Sequence, residues 1–155
     1  MASMRDIKRR KGSIQSTQQI TKAMKLVSTV KLQKAKGRAE EVNPYFNYMY
    51  HTVTSMMAKS GTISHPYLRA GESPKKAIVV ITSNRGLAGG YNSNVIKLIT
   101  GSDIPKENIA LYTIGNKGRE VLERYGYEVK MDASPVIEAP TYADASTICK
   151  QVLAD

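Results

Sequence analysis

The chain has 155 residues, with 23 Lys and Arg against 13 Asp and Glu, a formal net charge of +10. Apolar residues are 41% of the total, enough for the core of one ordinary domain with an extension. A single cysteine, Cys149, excludes an internal disulfide and a cysteine metal cage, and it fits an intracellular chain. No apolar run approaches the roughly 20 residues of a membrane span; the longest, Ala77 to Ile81, has strand length. A balance this basic calls for an acidic counterpart: nucleic acid, an anionic membrane surface or an acidic protein face.

The N-terminus, MASMRDIKRR, has no apolar stretch of the kind that marks a secretory signal. Ser3 and Asp6 form an S-x-x-D pattern that predicts a capping box at the start of a helix. Met1 therefore reads as the natural start of a bacterial-type protein. Up to Arg38 the only acid is Asp6, against Arg5, Lys8, Arg9, Arg10, Lys11, Lys22, Lys25, Lys31, Lys34, Lys36 and Arg38. Past Ser73 the signs mix.

From about Ser3 to Lys59 the spacing predicts helix. Ile7, Ile14 and Thr21 recur at seven. Ile20, Met24 and Val27, then Leu32, Ala35, Ala39 and Val42, then Tyr45, Met49, Val53 and Met56, continue one apolar stripe. Gly12 and Gly37 each weaken the helix by about 1 kcal/mol. Pro44 is the larger obstacle, so the expectation is one helix kinked at Asn43-Pro44 or two helices meeting there. A continuous helix would reach on the order of 80 Å at 1.5 Å per residue. Such a stripe cannot be buried within a small domain. It requires a partner helix, most simply in a coiled coil, and no second long amphipathic helix follows.

Residues 60–76 read as a linker, punctuated by Gly61, His65-Pro66, Gly71 and Ser73-Pro74. Ala77 to Ile81 is a β-branched run expected of a strand buried on both faces. Next come a glycine loop, a helix over Asn92 to Thr100, a strand over Ile109 to Ile114 and a helix from Asn116 to Tyr125 with Asn116 as N-cap. Gly126 is its expected C-cap. A strand over Tyr127 to Met131 and a helix over Tyr142 to Leu153 complete the order. Alternating strands and helices predict a parallel α/β sheet.

The loop Ser83-Asn84-Arg85-Gly86-Leu87-Ala88-Gly89-Gly90 follows a strand and precedes a helix, a place where phosphates bind. Its G-x-x-G-G spacing matches neither the dinucleotide nor the P-loop fingerprint. The favoured reading is a structural turn, Arg85, Gly86, Gly89 and Gly90, packed closely on the sheet, with no cofactor. Gly115-Asn116-Lys117-Gly118 reads as a strand-to-helix turn. His51 and His65 lack ligand-spaced companions, so no metal is expected. Cys149 is expected to pack inside its helix interface, and Glu40-Glu41 to form surface ion pairs. A nucleic-acid-binding protein is the alternative for the basic helix. However, that helix has no aromatic residue before Tyr45 and no zipper following its basic part.

Two stretches carry a specific resemblance. Gln19-Ile20-Thr21-Lys22-Ala23-Met24-Lys25-Leu26-Val27-Ser28 is similar to the ITKAM-x-x-V-S signature in the first helix of ATP synthase gamma subunits. Ile81 to Asn92 resembles that family's T-S-D-R-G-L-C/A-G-x-x-N segment, with Asn84 where the family usually has Asp. His65-Pro66-Tyr67-Leu68 and Ile114-Gly115-Asn116-Lys117-Gly118 match it in the same order.

The resemblance implies a long N-terminal coiled-coil helix (1–59), a linker (60–76) and a Rossmann-like α/β domain (77–155), whose C-terminal partner helix is absent from the 155 residues. It implies a non-catalytic rotor at the centre of the alpha/beta hexamer, carrying torque from a proton-driven c-ring. Its partners would be the alpha, beta and epsilon subunits and the c-ring, with no nucleic acid. It would lie at the cytoplasmic face of a bacterial membrane, attached only through the complex. Carried over to this chain, Lys8, Arg9 and Arg10 would face acidic parts of the hexamer, and Lys22, Met24 and Lys25 would run past an acidic loop of a catalytic subunit.

Overall fold

The computed structural model describes residues 3–61, 65, 68 and 73–155. Met1, and Pro66, Tyr67 and Gly71 of the expected linker, lie outside these described residues. The chain divides into two compact units, Met1–Arg69 and Ala70–Asp155.

The first unit is one helix, α1, Met4–Lys59, 56 residues long. Ser3 caps it, its Oγ accepting a hydrogen bond from the Arg5 N–H at 3.3 Å. The expected reciprocal box does not close. The Asp6 carboxylate turns instead toward Arg9, 3.9 Å away. At the far end the Ser60 N–H and hydroxyl both donate to the Met56 carbonyl, and Gly61 turns the chain out at φ 58°. Pro44 lies inside α1, and the helix continues on both sides of it. The helix absorbs a loss of about 3 kcal/mol there, for a missing N–H and a ring crowded against the preceding turn. No residue of α1 is buried. Ile14, Leu32, Val42 and Phe46 all stand exposed, so the apolar stripe has no cover within this unit.

The second unit is a three-stranded parallel sheet in the order β1-β2-β3. Its strands are β1, Lys76–Ile81; β2, Ile109–Ile114; and β3, Glu128–Asp132. β1 and β2 run in unbroken register from Lys76↔Ile109 to Ile81↔Ile114. β2 and β3 slip between Leu111 and Tyr112. Parallel neighbours need crossovers, supplied by α2, Tyr91–Thr100, and α3, Asn116–Arg124. Both pack on the face carrying Val80 and Leu111, where Ile96, Ile99, Leu122 and Tyr127 complete the core. α4, Tyr142–Ala154, follows β3. It begins at a closed capping box in which the Thr141 hydroxyl accepts the Asp144 N–H and the Asp144 carboxylate accepts the Thr141 N–H.

Three local expectations are revised. β1 is not buried on both faces: Val80 is core, but Val79 and Ile81 are about half exposed, because β1 is an edge strand of this sheet. The strand enclosed on both sides is β2, where Leu111, Tyr112 and Thr113 are all buried. An apolar run alone cannot distinguish the two positions. Asn116 is the first helical residue of α3, and Gly115 is its N-cap. Cys149 is exposed, and its neighbour Ile148 is the buried residue of α4.

Gly126 does end α3 as expected. It adopts φ 82°, its N–H bonds to the Glu123 carbonyl, and the Tyr127 N–H reaches back to Leu122. This pairing is a Schellman motif, and Tyr127 and Leu122 share the same core.

The core makes a direct prediction. Leu111→Ala, at a fully buried site, should destabilise the α/β unit by about 2–5 kcal/mol. Leu32→Ala, exposed on α1, should change the stability of that unit by less than about 0.5 kcal/mol. Denaturant titration monitored through the α/β unit distinguishes them; equal midpoints would refute this assignment of the core.

Candidate functional site

Two regions hold the residues that the sequence singles out. On α1, Lys8, Arg9 and Arg10 are consecutive and so point about 100° apart around the axis. Lys22 and Lys25, one turn apart, share a face, and Met24 between them is about half exposed. The two groups are separated by twelve residues from Arg10 to Lys22, roughly 18 Å along the axis, so the fold does not bring them together. Arg9 meets Asp6 and Lys36 meets Glu40, both across exposed helix turns. Lys8, Arg10, Lys22 and Lys25 make no ion pair among the described residues. Their charge is therefore available to another molecule. The indentation between Ser13, Ile14, Thr17, Gln18, Thr21 and Lys22 is an open trough along one helix, not an enclosed pocket.

The second region is the loop from Thr82 to Gly90. Leu87 is 90% exposed and held at φ 65°, and Gly89 takes φ 56°. A Cβ at Gly86 or at Gly89 would meet nothing within 4 Å, so these glycines do not lie tight on the sheet. The close approach is elsewhere. A Cβ on Gly115 would fall 2.0 Å from the Thr82 carbonyl oxygen, and one on Gly118 would fall 2.7 Å from Thr82 Cγ2. Gly115 also takes φ 112°.

The first amides of α3 are all occupied. Asn116 N–H donates to Asn84 Oδ1 at 3.0 Å, Lys117 N–H to the Ser83 carbonyl at 3.0 Å and Gly118 N–H to Thr82 Oγ1 at 2.8 Å. Thr82 Oγ1 in turn donates to the Gly115 carbonyl at 2.9 Å. These are the donors that a phosphate at this helix start would need, and the polypeptide uses them itself. The run Thr82-Ser83-Asn84 is thus a built-in anchor for α3.

Asn84 also extends the anchor, its Nδ2 donating to the Ser134 carbonyl at 3.0 Å. An aspartate could accept the Asn116 N–H but could not make this second bond. Ser83 and Asn92 exchange two further bonds that brace the loop against α2. Sequence reading missed Thr82 and Ser134; the clue available was a run of short polar residues at the end of a strand.

Asp132 closes the network at the end of β3. Its Oδ1 accepts both the Ser134 N–H, at 2.9 Å, and the Ser134 hydroxyl, and Ser134 Oγ accepts the Gly115 N–H at 3.2 Å. Arg119 Nε lies 3.2 Å from Asp132 Oδ2, but its N–H is not aligned for a hydrogen bond, so this contact is electrostatic. Burial opposes ionisation of Asp132. The hydrogen bonds from Ser134 and the charge of Arg119 outweigh it and hold the carboxyl below its ordinary value. Among the described residues no cluster of His, Cys, Asp and Glu is placed to hold a metal, and no helix is long and apolar enough to cross a membrane.

Two predictions follow from this geometry. Gly118→Ala forces a methyl group against Thr82 and should cost about 1–3 kcal/mol in chemical denaturation; an unchanged midpoint would show that the contact is not tight. Asp132, with its pKa lowered on folding, contributes stability above the unfolded-state value that is lost as pH falls through the folded-state value. Asp132→Asn should therefore flatten the acid limb of the stability–pH profile below about pH 4. A parallel profile in the variant would contradict it.

Residues 3–155 match the family model described as ATP synthase. The ATP synthase gamma chain of Lachnoclostridium phytofermentans is 67% identical over 153 residues, covering 99% of this chain and 53% of that protein. The gamma chain of Acetobacterium woodii, described as sodium ion specific, is 37% identical over 151 residues, covering 97% of this chain and 50% of that one. The gamma chain of Bacteroides thetaiotaomicron is 32% identical over 158 residues, covering 99% and 53%. The chain spans about half the length of the curated relatives it matches. With the family model matched along nearly every residue, the chain belongs to the ATP synthase gamma-chain family.

Proposed function

We propose that these residues form the first helix of the central-stalk shaft, and part of the α/β domain, of the gamma subunit of an F-type ATP synthase. The observation that carries this reading is α1 itself: 56 residues with an apolar stripe along its length and not one residue buried. A stripe of that kind is the half-interface of a coiled coil. Relatives twice as long have ample chain to supply the other helix.

On this reading 1–59 is the shaft helix, 60–76 a linker and 77–155 part of the α/β domain. The subunit is non-catalytic. It transmits torque between the ion-driven c-ring and the alpha/beta hexamer, in either direction of ATP turnover. Its partners are the alpha, beta and epsilon subunits and the c-ring, and it meets the membrane at its cytoplasmic face only through them. One relative's name specifies sodium, so the driving ion is proton or sodium according to the ring.

Lys8, Arg9, Arg10, Lys22, Met24 and Lys25 are the contact residues for the hexamer. A rotor must be attracted without being locked. Exposed ion pairs are worth only about 0–1 kcal/mol each, so a set of exposed cations supplies a diffuse attraction across which the surface can slide. Arg85, Gly86, Gly89 and Gly90 form a structural turn with no nucleotide.

The test is charge reversal. Lys22→Glu with Lys25→Glu should leave assembly of the complex intact and alter the coupling of rotation to ATP turnover. Single-molecule torque equal to that of the unmodified complex would refute the role assigned to these lysines.

A further inference from the structure

We propose that Pro44 is a bending joint that divides α1 into two arms of different surface chemistry. The inference does not rest on the shaft reading. Proline cannot donate a hydrogen bond, so the Glu40 carbonyl one turn earlier receives none from position 44, and the pyrrolidine ring crowds the same turn. Sharp bends in long helices have few causes, and an internal proline is one of them. Packing can splint a proline-containing helix straight, but no residue of α1 is buried in this unit, and its neighbours Val42, Tyr45 and Phe46 are exposed. Gly12 and Gly37 keep their N–H groups and so do not interrupt the ladder; neither meets any neighbour within 4 Å.

The surface changes at the same place. Every charged side chain of α1 before its last residue lies at or before Glu41: the cations from Arg5 to Arg38, with Asp6, Glu40 and Glu41. From Val42 to Ala58 there is no Asp, Glu, Lys or Arg. Tyr45, Phe46, Tyr48, Met49, Tyr50 and Met56 dominate instead, with the Phe46 and Tyr50 rings stacked at 6.2 Å. One arm is polar and strongly cationic; the other is uncharged, aromatic and rich in methionine. A joint between them lets each arm seat on its own neighbours without forcing one straight line on both.

Backbone N–H residual dipolar couplings on the weakly aligned 155-residue chain test this directly, since helical N–H vectors run along the helix axis. With a joint, couplings over residues 46–58 should differ from those over residues 14–43. A bend of about 20–30° reduces axial couplings by roughly a sixth to a third when the longer arm sets the alignment. Pro44→Ala should bring both stretches to one common value. Gly37→Ala, which restores no missing donor, should leave the difference unchanged. Equal couplings on both sides of Pro44 in the unmodified chain would overturn the proposal. So would near-zero couplings throughout, because no helical arms would then exist to be joined.

Discussion

A solvated helix with an apolar stripe is an unsatisfied structure, and that constraint governs the first third of this protein. Isolated helices draw little stability from propensity alone; in proteins they are held by burying one face. α1 buries nothing in its own unit, yet isoleucine, leucine, valine, phenylalanine and methionine recur along it at helical spacing. The stripe therefore describes a second surface as clearly as it describes the helix. The cations beside it add a requirement of their own, since Lys8, Arg10, Lys22 and Lys25 make no ion pair among the described residues. Apolar seam and unpaired charge together suit a helix that lies between a partner helix and an acidic surround, as the proposed shaft does.

The α/β unit follows a different logic, in which a few polar groups decide what the glycine loop can do. The start of a helix after a strand is where α/β proteins commonly take phosphate. Here Thr82, Ser83 and Asn84 fill that position from within. The cost is steric: α3 begins so close to Thr82 that only glycine fits at 115 and 118. Asn84 then ties the same corner to Ser134, and Asp132 ties Ser134 to Gly115. The ends of β1, β2 and β3 are thereby fastened into one network.

Much of this was legible in the residues. The seven-residue recurrence of Ile7, Ile14 and Thr21 and the later stripe identify α1, because helical spacing is a local property. The alternation of β-branched runs with helical segments identifies the parallel sheet, because parallel strands need crossovers. Gly126 marks the end of α3, since a left-handed residue at that position is almost always glycine.

What the sequence determined by itself was the identity of the elements, the break in charge near Arg38 and the need for partners. These depend on spacing and composition along a short stretch of chain. Only the tertiary structure decided that β2 and not β1 is enclosed, and that the tight glycines are Gly115 and Gly118 and not Gly86 and Gly89. It also decided that the Ser3 box stays open while the Thr141 box closes. The first two turn on which group arrives from a distant part of the chain, a neighbouring strand or the Thr82 side chain; the open box is settled one turn away, where Arg9 competes for Asp6. Local pattern says what a residue is able to do, and packing selects which of those possibilities has a partner.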